Sequence, residues 1–118
     1  HKYHCFLVMV TMETAPDSMM YIENIEQALE YMEEAIRHKI RKIDVCTRYS
    51  AMQYLIILFE PDESQIPKVM DRIFIQYYKL YDKRNFIPKY EYLPMNEHSE
   101  ETNPQNTSDH LNQNIHPV

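Results

Sequence analysis

An α+β fold of the ferredoxin-like type, with the order β-α-β-β-α-β, is predicted by three features of this 118-residue sequence. Two stretches carry apolar residues at helical spacing, four short runs read as strands, and the middle two runs are separated by only three residues. With right-handed crossovers, that order places both helices on one face of a four-stranded antiparallel sheet.

The elements follow in turn. Cys5-Phe-Leu-Val-Met-Val10 is a continuous apolar run with β-branched members, which predicts a first strand buried on both faces. Ile22, Ile25, Leu29, Met32, Ile36 and Ile40 form one stripe among charged neighbours and predict the first helix, with Asp17 and Ser18 as candidate caps. Its acidic first half and its basic end (Arg37, His38, Lys39, Arg41) complement the helix dipole. Residues 43–49 alternate apolar and polar, and the linker Ser50-Ala51-Met52 leads into the apolar run 53–60, so the two form an antiparallel hairpin. Pro61-Asp-Glu-Ser64 breaks the chain. Ile66, Val69, Met70, Ile73, Tyr77 and Leu80 then mark a second helix, ending near Asp82, that tolerates Pro67 only in its first turn. Residues 85–93 read as a fourth strand, and Pro88 inside it points to an edge position or a bulge.

One domain is therefore expected over residues 1–94. Residues 95–118 are rich in Asn, Glu, Ser, Thr and Pro, have Leu111, Ile115 and Val118 as their large aliphatics after Met95, and read as a flexible, polar, acidic tail that adds little stability. Beginning at His1 rather than Met, the chain reads as a piece of a longer protein.

Composition excludes several functions. The chain has no glycine, whereas phosphate cradles, Walker loops and Rossmann turns need one where the backbone takes positive φ or closely approaches a ligand. Net charge is −6, and four of the acidic residues (Glu97, Glu100, Glu101, Asp109) lie in a tail without Lys or Arg, which leaves −2 for the body. Such a body has no phosphate-neutralising patch for nucleic acid. No apolar run approaches the roughly 20 residues that span a bilayer, no secretory segment is visible, and a cytoplasmic domain is the expectation. Cys5 and Cys46 sit in apolar runs and read as buried free thiols.

Chemistry-bearing clusters are scarce. His1, His4 and Cys5 lack a complementary pair at ligand spacing, so no metal site is expected. Ser50 and His38 form no nucleophile pattern, and Glu13 and Asp17 read as hydrated loop carboxylates. The tyrosines suggest the RNA-binding modules of the same element order. However, the third strand Ala51-Met-Gln-Tyr-Leu-Ile-Ile57 lacks the basic residue, the glycine and the second aromatic that those modules use.

The stretch Arg41-Lys-Ile-Asp-Val-Cys-Thr-Arg-Tyr-Ser-Ala-Met-Gln-Tyr-Leu-Ile-Ile-Leu58 resembles the core of the GGDEF family, the bacterial diguanylate cyclase domain. Members typically read Arg-x-x-Asp, five residues ending in Arg-Tyr, then Gly-Gly-Asp/Glu-Glu-Phe and a run of aliphatics. The resemblance spans residues 5–93 and implies a nucleotide-cyclase-type core, consistent with the element order above. In the family the motif glycines admit GTP, and the acidic residues bind metal. Here those positions are Ser50, Ala51, Met52, Gln53 and Tyr54, and the family's strand-one metal aspartate falls near Thr11 or Met12. No carboxylate remains to hold Mg²⁺, so the expectation is a degenerate domain that is not an enzyme and has no cofactor. The family's closing helix and strand also have no counterpart in residues 95–118.

The family's inhibitory site for cyclic di-GMP is an Arg-x-x-Asp at this offset, which here is Arg41 and Asp44, with Arg72 as the further arginine on the following helix. A guanidinium fork suits phosphate or a guanine edge. Read without the family, the same residues are a basic helix end, an acidic strand start and a solvated helix position. Three functions follow. The first is an inactive GGDEF-like signalling module that works through protein interaction, dimerisation or regulation. The second is a cyclic di-GMP receptor using Arg41, Asp44 and Arg72, and the third is an unrelated ferredoxin-like small-molecule regulatory domain.

Overall fold

The computed structural model describes residues 5–16 and 24–95. Strand β1 (Cys5–Thr14) leads to helix α1 (Ile25–Lys39), the hairpin β2 (Val45–Ser50) and β3 (Gln53–Phe59), helix α2 (Ile66–Leu80) and strand β4 (Phe86–Met95). The strands stand in the order β2-β3-β1-β4, and every neighbouring pair is antiparallel. This is the α+β, ferredoxin-like arrangement that the sequence predicts.

Both helices cover one face. Leu29, Met32 and Ile36 of α1 and Met70, Ile73 and Tyr77 of α2 are buried against Val8, Val10 and Met12 of β1 and Tyr54, Ile56 and Leu58 of β3. The alternate residues of β1, Leu7, Met9 and Thr11, are only half-buried. The expectation of a first strand buried on both faces is therefore corrected. With both crossovers on one side, the described elements leave the other side of the sheet uncovered, and the apolar run of β1 serves two different environments.

Local chemistry explains the boundaries. Asn24 is the N-cap of α1 without a side-chain capping bond, while Ile22 and the candidate caps Asp17 and Ser18 lie outside the described residues. Before α2, a 3₁₀ turn over Glu63–Gln65 is held by the Asp62 carboxylate, which accepts from the Ser64 N–H at 3.2 Å. Pro67 then occupies the first turn, where its missing N–H leaves no gap in the helical ladder. Helix α2 stops at Leu80, short of Asp82, because Tyr81 is extended. Likewise β2 begins at Val45 rather than at residue 43, since Asp44 closes the preceding turn. Strand β4 lies at the edge of the sheet, as Pro88 indicated, and runs on to Met95 opposite Cys5. Among the described residues, no helix is long and apolar enough to cross a membrane.

A chain without glycine must end its elements by other means. Both helices leave through extended C-caps, Ile40 and Tyr81, instead of a left-handed residue. Among the described residues, Glu60 takes positive φ, at 51°, between β3 and Pro61. The left-handed region costs an ordinary residue about 1 kcal/mol, and asparagine tolerates it better. Glu60→Asn is therefore expected to raise the unfolding free energy by about 0.5 kcal/mol, measurable by urea denaturation.

Candidate functional site

The β2–β3 hairpin tip, which carries residues 50–54, meets β1 at Thr11. Thr11 and Gln53 are cross-strand partners, and the Gln53 side-chain N–H donates to Thr11 Oγ1 at 3.0 Å. Ser50 Oγ donates to Gln53 Oε1 at 2.7 Å, which completes a chain of three neutral groups. Arg48 closes the tip from the other side. Its Nε donates to the Ser50 carbonyl and its Nη2 to the Ala51 carbonyl, both at 2.8 Å. A bulge at Tyr49 shifts the register there and relieves a tight turn in which neither Ala51 nor Met52 takes positive φ. Thus Thr11 and the hairpin come together, and a hydroxyl, an amide and a second hydroxyl are hydrogen-bonded in series there. Among the described residues, no group of three or more His, Cys, Asp or Glu side chains could hold a metal ion. Glu13 is an exposed carboxylate paired with Lys89 at 3.1 Å, while Asp17, His1 and His4 lie outside the described residues.

The second candidate place is the corner between α1 and β2. The Asp44 carboxylate is almost wholly buried, with 2% of its side chain exposed. It accepts from the Arg41 backbone N–H at 2.9 Å, from Arg41 Nε and Nη2 at 3.1 Å each, and from the Phe59 N–H at 3.0 Å. Arg41 Nη2 also donates to the Phe59 carbonyl. Arg41 and Asp44 therefore clamp the start of β2 to the end of β3, a bidentate pair of the strong kind. The outer part of Arg41 stays open, with 55% of its side chain exposed. Arg72 is exposed near the middle of α2. No hydrogen bond or ion pair joins Arg72 to another described residue, or to Arg41 and Asp44.

A further polar network joins α1 to the hairpin. Glu33 and Arg37, one turn apart, pair at 2.9 Å, and Arg37 Nη2 donates to the Cys46 carbonyl at 3.1 Å. The Tyr54 hydroxyl donates to the Leu29 carbonyl at 2.9 Å, with Glu33 Oε1 at 3.4 Å. The hydrogen bond that Arg37 donates to the Glu33 carboxylate holds its guanidinium above the usual range. The i,i+4 spacing of Glu33 and Arg37 was a visible signal for part of this network. Its connection to Cys46 and Tyr54 depends on tertiary packing. Tyr54→Phe deletes the buried donor and is expected to lower stability by about 1 kcal/mol in chemical denaturation.

Burial pushes the Cys46 thiol up from an ordinary 9 to about 11, with Arg37 partly opposing it, and the Tyr54 hydroxyl up from 10 to about 12. Both groups hold their protons more tightly folded than unfolded, so their contribution is fully present below about pH 9 and is lost as pH rises to between 11 and 12. Melting temperature is expected to fall across that window, and Cys46→Ala should flatten its lower part.

Comparison with known proteins gives a fold and no family. No family model and no curated protein matches this chain. Among solved structures, a DGC protein from Thermotoga maritima aligns with a TM-score of 0.62 at 14% identity, over 80% of this chain and 66% of that one. The present chain thus spans a little under two thirds of that protein. A REP-associated tyrosine transposase bound to a REP hairpin aligns over 95% of this chain and 66% of that one, at 11% identity and a TM-score of 0.48, too low to establish a common fold. The fold is accordingly similar to that of a DGC protein.

Proposed function

We propose that this chain is a degenerate GGDEF-like module that makes no cyclic di-GMP and works in signalling through interaction, dimerisation or regulation. The likeness of its fold to a DGC protein and the residue order of the hairpin support the family reading. The observation that carries the loss of activity is the pairing of Gln53 with Thr11. Two neutral side chains meet there and satisfy one another, where phosphoryl transfer needs carboxylates on a metal that offsets triphosphate charge. Incubation of the purified chain with GTP and Mg²⁺ or Mn²⁺ is expected to yield no product by chromatography. Turnover above a blank preparation would overturn the reading.

The exposed outer part of Arg41 and the exposed Arg72 of α2 favour a second reading, a cyclic di-GMP receptor. Asp44 counts against it, because all of its described bonds serve the fold. Calorimetric titration separates the two. The interaction module gives no heat with cyclic di-GMP, whereas a receptor gives binding that Arg72→Ala weakens at least roughly tenfold through loss of a charged hydrogen bond.

A further inference from the structure

We propose that the uncovered face of the sheet is a self-association surface, on which a second copy of this chain packs face to face. The proposal rests on the interaction-module reading and names its surface. The sheet register carries the argument. Leu93, Leu7, Ile57 and Val45 are successive cross-strand partners, so an unbroken aliphatic row crosses all four strands on the side away from the helices. Met95, Cys5 and Phe59 form the row beside it, and Met9 and Leu55 sit at the centre of the next. Leu93 is 55% exposed, Met95 42% and Val45 41%, a contiguous patch rather than the scattered single residues any surface shows.

Size and symmetry point to a second copy. Strands of ten, ten, seven and six residues, about 4.8 Å apart and rising about 3.3 Å per residue, give a face of roughly 500 Å², so two copies bury about 1,000 Å² together, the least a specific interface needs. A two-fold axis along the strands lays the aliphatic row of one copy on that of the other. It also brings together the opposite, polar ends, where Lys89 and Glu13 supply both signs of charge. The sheet edges are poor alternatives. The β1–β4 register is unbroken from Cys5 to Thr14, so the missing N–H groups of Pro88 and Pro94, at positions of equal parity, belong to the outer edge of β4 and blunt it. At the other edge β2 is short and bulged.

Sedimentation equilibrium of the 118-residue chain tests this. A dimer is expected at tens of micromolar. Leu93→Asp and Val45→Asp, on opposite edge strands, should each raise the dissociation constant at least roughly a hundredfold, because each buries two carboxylates in apolar surroundings, while circular dichroism stays native. Ile75→Asp, at a residue 56% exposed on α2, should leave the dimer intact. A wild-type monomer at several hundred micromolar, a dimer indifferent to both aspartates, or dimerisation only after removal of residues 97–118 would overturn the proposal, the last by assigning the face to the chain's own tail. The GTP assay separates the two levels. A monomer without turnover removes only this contact, and turnover by the dimer removes the inactive-module reading instead.

Discussion

Asp44→Ala is expected to be the most damaging polar substitution in this chain, lowering the unfolding free energy by about 3–5 kcal/mol, because a charged acceptor of four hydrogen bonds is lost at once. The carboxylate has 2% of its side chain exposed and receives four N–H donors from Arg41 and Phe59. Its removal leaves the Phe59 N–H and part of the Arg41 guanidinium without an acceptor and frees the start of β2 from the end of β3. For a domain of this size the melting temperature should drop by about 12 °C or more. Arg41→Ala should cost less, about 1–2 kcal/mol, since the Asp44 carboxylate keeps its two backbone donors. Equal and small effects of the two substitutions would show that the corner is not a clamp.

Writing the GGDEF motif into the hairpin is expected to yield no activity and to cost stability. The quadruple variant Ser50→Gly, Ala51→Gly, Met52→Asp and Gln53→Glu restores the motif's residue types but leaves Thr11 without a carboxylate and the chain without a glycine-bearing loop before α1. It also deletes the Gln53 donor to Thr11 and the Ser50 donor to residue 53, and it replaces Met52, which packs partly buried against the core. The combined loss is about 2–3 kcal/mol, counting two glycines and two hydrogen bonds. Chromatography should show no cyclic product from GTP, and urea denaturation should show the lower stability. Product formation would mean that position 11 is dispensable for metal binding.

What could be read from the sequence follows the range of each interaction. The stripes Leu29, Met32, Ile36 and Met70, Ile73, Tyr77 repeat at helical spacing, so both helices and their buried faces were legible, as was the edge position of β4 from Pro88. Strand β1 misled because Leu7 and Met9 are as apolar as Val8 and Val10. Nothing local distinguishes a residue under two helices from one on an uncovered face. Asp44 was singled out by its spacing to Arg41, yet its bond to Phe59 spans 15 residues, and that of Gln53 to Thr11 spans 42. Such partners meet only once strand order and register are set. The bulge at Tyr49 was invisible for the same reason.

The antiparallel pairing of Cys5 with Met95 makes the first and last residues of the described body cross-strand neighbours, with Cα atoms about 5 Å apart. A polypeptide entering at one and leaving at the other would come back to nearly its starting point, so the body could be inserted into a host sequence without displacing the flanking parts. The same geometry makes it mechanically weak. Tension applied through these two residues acts across the β1–β4 ladder and opens it one pair at a time from Cys5–Met95 towards Thr14–Phe86, rather than shearing all the pairs at once. In a force-spectroscopy experiment this body should open at low force, like a zip fastener drawn from its end, and release β4 before the core under the helices yields.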